Sequence, residues 1–395
     1  MIPMRELVSH SIGGGWGDDL PMDGTEKVAI IRGADFPGVA RGDVSTVPLR
    51  WESTRKLPQR TLEVGDIVLE GSGGTSDRPT GRTVFISESL LAQFDVPVIP
   101  ASFCRLMRID QSKADPHYVY WWLQGMYAEG RTWAYQNRST GIANFQFQHF
   151  LDAEVVRLPR REEQRAIAAT LGAIDDKIES NRRATAAGES LVRTIVESAL
   201  DASEGEDGVL GDYCALVKSQ VKVEAIDPAA NYIGLEYMPR GSIFLNRWGK
   251  AEGLGSNKTA FRRGDLLFGK LRPYFKKVGI APIDGVCSTD ILAVRPKNPR
   301  DIALVAAVAA SDALIDALSA GSTGTRMPRA SWKDLAAWRV PVLTTAERIE
   351  LSARVDPLVE RLTQLTFESH RLAALRDALM PELLSGRLRV PVGTS

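Results

Sequence analysis

The sequence of 395 residues is poor in the residues that bind metals or form disulfides. It has three cysteines and four histidines, and Cys104, Cys214 and Cys287 are too far apart in sequence to form a Cys-x-x-Cys pair. Structural zinc and disulfides are therefore not expected, which fits a protein of the reducing cytoplasm. We predict a cytoplasmic location and no metal bound by this chain.

Long hydrophobic runs are also missing. A membrane-spanning helix needs about 18 or more consecutive apolar residues, and the richest apolar stretch, Ile302–Ala309, is far shorter. The first residues, MIPMREL, lack the basic-then-apolar pattern of a secretory signal. We therefore expect no association with a membrane.

Charge of one sign is not in excess. Lys and Arg together number 49, Asp and Glu together number 49, and the formal net charge is zero. This balance argues against a protein that binds nucleic acid through bulk positive charge, as histones do. It still allows a nucleic-acid binder whose basic residues are grouped on one face.

The sequence also lacks recognisable catalytic motifs. It contains no Asn/Asp-Pro-Pro-Tyr/Phe sequence of amino-methyltransferases, no Gly-x-x-x-x-Gly-Lys-Ser/Thr phosphate loop and no Gly-x-Ser-x-Gly elbow. We predict that the chain has no catalytic residues and binds no cofactor of its own.

What the sequence does contain is two long amphipathic stretches. In the first, Glu162–Leu200, apolar or small residues recur at alternating spacings of three and four, the pattern of a coiled-coil seam. At 1.5 Å per residue the helix would be roughly 55 Å long, and its apolar stripe needs a partner. The seam consists of Ile167, Leu171, Ile174, Ile178, Val192 and Ile195, and is interrupted at Asn181, Thr185 and Gly188.

The interruption at Asn181 has two interpretations. A polar residue in a seam costs stability but fixes the register of the helices. Alternatively, the interior widens at this point and Asn181 is solvated.

The second stretch, Thr344–Leu384, is the expected partner. Thr344 and Glu347 form a capping-box signature at its start, and Pro357 and Pro381 predict kinks or breaks. Its seam residues are Leu351, Val355, Leu358, Leu362, Leu365 and Leu372. Length and seam favour an antiparallel coiled coil with the first stretch; the alternative is two amphipathic helices packed on separate cores.

The segments ahead of the two helices repeat one another. LEVGDIVL (Leu62–Leu69), a Gly-Asp turn before an apolar strand, is echoed by RGDLLF (Arg263–Phe268), and Ser-Thr-Gly triplets begin at Ser139 and Ser322. We predict a mixed α/β (α+β) fold with two tandem globular domains, each followed by a long α-helix, and with pseudo-two-fold symmetry. The predicted boundaries are 1–160 and 205–342 for the globular domains, 161–204 and 343–386 for the helices, and 387–395 for a C-terminal tail.

Two tandem domains suit a ligand with two separated, different half-sites, and double-stranded DNA is the obvious one. The best local pattern for DNA contact is Lys258–Lys277, where seven cations occur with one carboxylate and interleaved aromatics. Cations on phosphates set the register, and arginine can also read guanine. These cations are Lys258, Arg262, Arg263, Lys270, Arg272, Lys276 and Lys277. The alternative is a solvated charged hairpin.

The first domain offers weaker candidates. Two of its arginines lie in the glycine-rich loop Gly71–Arg82, which matches the basic segment in position, and two flank the aromatic residues Trp133 and Tyr135. These four candidates are Arg78, Arg82, Arg131 and Arg138. The second pair could equally mark a domain edge. His117 and His149 are isolated, and we predict structural roles for them.

Several stretches resemble the specificity subunit of type I restriction-modification systems. They are TGIAN (Thr140–Asn144), the run from Glu163 to Arg183, STGTRMPRASWKDL (Ser322–Leu335) and LSGRLRV (Leu384–Val390). The resemblance covers nearly the whole chain in its order of parts and is most specific in the first long helix. The second helix begins AERIELSARV and lacks the EQRxIA pattern, so the partner contacts of that half are transferred less securely.

The resemblance implies that the globular domains are target-recognition domains, each reading one half of an asymmetric bipartite DNA site. The helices would act as a ruler and dock two methyltransferase subunits, and restriction subunits would join the full complex. S-adenosylmethionine, and ATP with Mg²⁺, would be bound by those partner subunits. The candidate partner and coiled-coil residues are Asn144, Gln164, Ile167, Leu171, Ile174, Ile178, Asn181, Val192, Ile195, Leu351, Val355, Leu358, Leu362, Leu365 and Leu372.

A rival hypothesis is a coiled-coil scaffold that assembles protein partners and reads no DNA. The zero net charge is its main support.

Overall fold

The computed structural model describes residues 1–137, 143–203, 206–320 and 329–391. The chain forms two compact units. The first consists of Met1–Glu179 and Arg371–Ser395, and the second of Ser180–His370. The long helices span Arg161–Asp201 and Thr345–Ser385, so each unit contains a part of both.

In the first unit, a four-stranded antiparallel sheet carries the Gly-Asp motif on an inner strand. In spatial order its strands are Val8–Gly13, Cys104–Ile109, Ile67–Glu70 and Thr83–Phe85. A three-stranded sheet has the order Leu49–Ser53, Thr25–Ile31 and Val98–Pro100, with the last pair parallel. The remaining strand pairs are Ile2–Pro3 with Val155–Val156, and Ala143–Phe145 with both Gln136–Asn137 and Ser72–Gly74. The longer helices besides the two long ones are Pro116–Ala128 and Phe147–Ala153.

The second unit repeats this arrangement. Its four-stranded antiparallel sheet has the order Cys214–Leu216, Ile291–Pro296, Leu266–Gly269 and Val278–Ile280. Its other sheet has the order Gln220–Val221, Lys258–Phe261, Gly285–Cys287, Asn231–Ile233 and Gly249–Lys250, again with one parallel pair. Asp207–Val209 pairs with Arg339–Pro341, and the main helices are Ile302–Ala309, Asp312–Ala320 and Trp332–Ala336. The repeat in the sequence is therefore a repeat of strand order.

The Gly-Asp turn is built in the same way in both units. Asp66 is 1% exposed and receives two hydrogen bonds from the guanidinium of Arg108 on the neighbouring strand, each at 2.8 Å. Asp265 is 2% exposed and receives two from Arg295, each at 2.7 Å. The residue before each aspartate has a positive φ, which favours glycine: Gly65 at 95° and Gly264 at 83°. A buried carboxylate is tolerated because its oxygens are hydrogen-bonded to a cation.

The parts of the long helices in the first unit pack with the helix Pro116–Ala128. Ile167 and Leu171 share an apolar cluster with Tyr118 and Leu383. At the edge of this packing, Arg376 pairs with Asp175 at 2.6 Å. Burial raises the pKa of the Asp175 carboxyl, although the guanidinium of Arg376 acts in the opposite direction.

In the second unit the two helices are antiparallel, because contacts move down one helix as they move up the other. Asn181 contacts Glu368, whereas Gly188 lies against Leu362 so closely that an added Cβ would be 2.7 Å from Leu362 Cδ2. The seam residues Val192, Ile195, Leu351, Val355, Leu362 and Leu365 belong to one buried cluster, and Leu358 packs against it. The predicted antiparallel pairing of the helices is confirmed within this unit.

Asn181 is 2% exposed, so the interpretation that it is solvated is wrong. Its Nδ2 donates hydrogen bonds to Glu368 Oε2 at 3.0 Å and to Ser369 Oγ at 3.4 Å. Because these acceptors lie on the opposite helix, a slip in register would leave a buried amide unpaired. This arrangement agrees with a role in fixing register.

The breaks expected at Pro357 and Pro381 do not occur, since the second long helix continues through both positions. Each proline removes one backbone hydrogen bond, but the helix on either side is held by packing. Val355 near Pro357 is 1% exposed, and Leu383 near Pro381 is 1% exposed.

Among the described residues, no single helix is long and apolar enough to cross a membrane. The adjacent segments Pro299–Ala309 and Asp312–Ala320, bent by 59°, have that length and composition together. The helix Ile302–Ala309 is buried along its whole length in the second unit.

Replacing Asp66 or Asp265 by Asn should lower the free energy of unfolding by about 2 kcal/mol, because charge-assisted hydrogen bonds in a buried position are lost. Denaturant unfolding of the purified chain measures this change. Asp207→Asn is the matched control, because Asp207 and Arg339 are 3.5 Å apart with side chains 79% and 83% exposed, and such pairs contribute less than about 1 kcal/mol. Equal effects at all three positions would contradict a structural role for the buried pairs.

Candidate nucleic-acid interface

The basic segment Lys258–Lys277 does not form one patch. It contains the strands Lys258–Phe261 and Leu266–Gly269, which belong to different sheets. Lys258 lies in the first strand and Arg262 and Arg263 in the turn before the second, whereas the other four cations follow the second strand. At about 3.3 Å per residue, a four-residue strand separates the two groups by more than 10 Å. We call residues 262–265 the turn end and residues 270–277 the loop end.

Lys258 is a poor candidate for DNA contact. It is 5% exposed, and its ammonium donates to Ser256 O at 2.7 Å and to Ser256 Oγ at 2.8 Å. It also lies 6.0 Å from the ring of Tyr232. A phosphate could reach this lysine only if these contacts were broken.

The turn end is directed towards the second long helix. Arg263 Nη2 donates to Glu360 Oε2 at 2.9 Å, with both side chains more than half exposed. The backbone N–H of Arg262 donates to Asp265 Oδ2 at 2.7 Å. The position of Arg262 is thus set by the Gly-Asp turn, and Arg263 has an acidic neighbour.

At the loop end, the three lysines are held by neighbours within the unit. The ammonium of Lys270 donates to Thr289 O at 2.6 Å, and that of Lys276 donates to Asp312 Oδ1 at 2.6 Å. The ammonium of Lys277 donates to Leu235 O at 2.5 Å. Burial lowers the pKa of Lys277. Arg272 instead lies over the ring of Phe275, with its Cζ 5.9 Å from the ring centre.

The matching loop of the first unit is organised by one buried carboxylate. Glu70 is 2% exposed; Arg82 Nη2 donates to it at 2.6 Å and Arg78 Nη1 at 2.9 Å. Each guanidinium also donates to a backbone carbonyl oxygen. Arg82 donates to Gly33 O at 2.7 Å, and Arg78 donates to Gly73 O at 2.6 Å. These two arginines therefore order the loop, and much of their charge is balanced by Glu70.

The other candidates in the first unit have different surroundings. Arg131 donates to Glu129 Oε2 at 2.8 Å and to Glu154 Oε1 at 2.6 Å. Arg138 lies outside the described residues. His117 stacks on Phe85 at 4.5 Å between ring centres, and burial lowers its pKa. These contacts agree with the structural role predicted for His117.

Two of the predicted partner residues make hydrogen bonds within the first unit. Gln164 is 3% exposed and links segments of its own unit: its Oε1 accepts from the N–H of Asp115, and its Nε2 donates to Pro159 O, each at 2.8 Å. Its amide is used within its own unit, and a contact of Gln164 with a partner subunit stays a prediction. Asn144 lies on a strand beside the loop, where Ser72 Oγ donates to its Oδ1 at 2.5 Å.

The structure brings the loop of each unit next to residues that follow its Ser-Thr-Gly triplet. In the first unit Ala143–Phe145 pairs with Ser72–Gly74, and in the second Leu271 forms a bridge with Arg329. The triplets themselves, at 139–141 and 322–324, lie outside the described residues. The duplicated triplet was the only sign in the sequence of this proximity.

Two aromatic side chains are exposed at these loops: Phe103, which sequence reasoning missed, and Tyr274, one of the aromatics interleaved with the cations of Lys258–Lys277. Phe103 is 66% exposed, and its carbonyl oxygen accepts from the N–H groups of Gly71 and Ser72. Tyr274, between Arg272 and Lys276, is 49% exposed. Nothing in the sequence distinguished Phe103 from a core aromatic. Among the described residues, no group of three or more His, Cys, Asp or Glu could hold a metal ion.

The chain is similar to known proteins both in sequence and in structure. A segment of 107 residues is 32% identical to the type I restriction enzyme EcoDI specificity subunit of Escherichia coli; it covers 27% of this chain and 24% of that protein. The match thus spans about a quarter of the relative's length. The crystal structure of the S subunit of a type I restriction-modification system from M. genitalium is similar over 96% of this chain and 94% of that one, with a TM-score of 0.58 at 16% identity. The chain has the fold of a type I specificity subunit.

This finding confirms the resemblance seen in the sequence and the predicted fold class. The HsdS subunit from Thermoanaerobacter tengcongensis matches 98% of the chain with 16% identity, but its TM-score of 0.35 supports no conclusion. No family model matches the chain.

Glu70→Gln should lower the stability of the first unit by about 3 kcal/mol, because it leaves two guanidinium groups without their buried carboxylate. Hydrogen exchange of the amides in the loop 71–82 should accelerate. Glu129→Gln is the control, because Glu129 is 52% exposed and its pair with Arg131 is a surface pair, worth less than about 1 kcal/mol. Unchanged exchange in the Glu70 variant would contradict the ordering role.

Proposed function

We propose that this chain is the specificity subunit of a type I restriction-modification system. Each unit reads one half of an asymmetric bipartite site in double-stranded DNA. The chain has no catalytic role; it positions two methyltransferase subunits, and restriction subunits join the full complex. S-adenosylmethionine, ATP and Mg²⁺ are bound by those partners.

The observation that carries the proposal is that the two units share one arrangement of strands but have different loops. Both units share the strand order and the buried aspartate–arginine pair. Their loops differ in chemistry: the first is glycine-rich and ordered by Glu70, and the second is rich in cations and aromatics. Two similar frames with different surfaces fit two half-sites of different sequence, because bases are read by side chains at their edges.

The fold likeness to the S subunit and the sequence match to the EcoDI subunit support the same role. The neutral charge of the chain favours the rival scaffold role, in which the long helices assemble partners without DNA. The neutral net charge does not exclude DNA binding, because the carboxylates that balance the loop cations are local partners that DNA can displace. An exposed pair such as Lys276 with Asp312 is weak, so a phosphate can replace the carboxylate.

The two groups of cations in the second unit give a direct test. Replacing Arg272 and Lys276 by Gln should weaken binding of the full chain, with its methyltransferase, to site-containing DNA. The dependence of log Kd on log salt should fall by about one to two, since each phosphate contact contributes about 0.9. The matched control replaces Arg262 and Arg263 at the turn end, and should leave the salt dependence nearly unchanged. A scaffold would show no difference between either variant and the wild type.

The proposed ruler role of the helices makes a second prediction. Adding one heptad to each long helix lengthens it by roughly 10 Å. The unread spacer should then grow by about three base pairs, at 3.4 Å each. Sequencing the sites methylated in cells that express the variant gives the spacer length. An unchanged spacer would contradict the ruler role.

A further inference from the structure

The turn 271–276 of the second unit has an unusual backbone. Arg272 has a φ of 51° and Lys276 a φ of 50°, and among the described residues no other non-glycine residue has a positive φ. The two residues flank the short 3-10 helix Pro273–Phe275, which is closed by hydrogen bonds from Phe275 N to Arg272 O at 2.9 Å and from Lys276 N to Pro273 O at 2.7 Å.

This conformation is costly for residues with a side chain. The loop of the first unit has glycine at its own positive-φ positions, Gly73 at 124° and Gly81 at 92°. Glycine would therefore satisfy the backbone of the second loop at lower cost. The presence of arginine and lysine indicates that their side chains, or the shape they impose, serve something other than stability.

One aromatic ring of the turn is exposed to solvent and packs against a second ring that is held in place. Tyr274 is 49% exposed and meets the edge of Phe275, with ring centres 4.8 Å apart and planes at 68°. Phe275 is covered on its face by Arg240, whose Cζ lies 4.0 Å from the ring centre. The Tyr274 hydroxyl forms no hydrogen bond with any of the described residues. The ring is thus exposed while its neighbours are fixed.

An exposed aromatic with cations on both sides matches the surfaces on which nucleobases stack. In a duplex, such a ring reaches a base by entering a base step and partly unstacking it. Base steps differ in how easily they are unstacked, so this contact depends on the DNA sequence. The adjacent cations bind the phosphates of the same strand. A protein partner fits this turn less well, because the cations around the ring would have to be desolvated and paired.

We propose that Tyr274 contacts a nucleobase of the half-site read by the second unit, through its ring, and that Arg272 holds the same stretch of DNA. The proposal rests on the proposed function and adds a specificity-determining residue to it. The strained turn fixes the backbone on both sides of Tyr274, whose side chain is 49% exposed.

The experiment measures binding of the full chain, with its methyltransferase, to duplexes that carry the intact site or a site with the second half scrambled. Tyr274→Phe should bind within about twofold of the wild type. Tyr274→Leu, which keeps apolar bulk, and Tyr274→Ala should bind the intact site about 10- to 100-fold more weakly, the range expected for one base–aromatic stack. Their salt dependence should be unchanged, and binding to the scrambled duplex should hardly change.

Arg272→Gly separates function from folding. It should reduce the salt dependence by about one, while Tm stays the same or rises by up to about 4 °C because the backbone strain is relieved. Arg339→Gln removes one charge outside the turn and the long helices, at a side chain that is 83% exposed. It is the control and should change neither quantity.

Three results would overturn the inference. They are wild-type affinity of Tyr274→Ala and Tyr274→Leu for the intact site, an equal loss on intact and scrambled DNA, or a fall in Tm for both Tyr274→Leu and Arg272→Gly. In the first of these, the proposed function still stands if the wild type prefers the intact duplex. If the wild type shows no such preference, the proposed function itself fails.

Discussion

Each unit depends on a buried ion pair that closes its Gly-Asp hairpin. The aspartate can be buried only because a guanidinium from the adjacent strand hydrogen-bonds to both of its oxygens. Three features must therefore occur together: a glycine with positive φ, the aspartate, and an arginine on the neighbouring strand. This combination fixes the start of the inner strand in both units, and the loop at the other end of that strand can change its chemistry without disturbing the frame.

The sequence predicts the features that depend on periodicity and local turn chemistry. The long helices follow from their seams, and the Gly-Asp turns from a glycine that the backbone requires. The repeat follows from the echo of these motifs. The sequence could not show that Arg108 and Arg295 are the partners of the two aspartates, because antiparallel pairing brings together residues that are distant in the chain.

The same limit explains the errors at the candidate interface. Lys258 and Arg272 belong to one basic run in the sequence, yet one is buried in a strand and the other lies in a strained turn. The amide of Gln164 is used within its own unit, a contact with Asp115 that its position in the helix pattern does not indicate. The sequence places Phe268, Tyr274 and Phe275 among the same cations, and only the backbone shows that Phe268 is buried and Tyr274 exposed. The net charge of the chain does not predict DNA binding either, because it does not show where the cations lie. In one loop Glu70 balances the arginines, whereas the other loop is rich in cations.

The most direct test of the account is a map of modified bases in the host genome, obtained by long-read sequencing with and without this gene. The account predicts that deletion removes one asymmetric bipartite methyladenine motif, whose two halves differ in sequence and are separated by an unread spacer. Restoring the gene should restore that motif. Identical motifs in both maps, in a host whose partner methyltransferase is expressed, would contradict the claim that this chain determines which DNA sequence is modified.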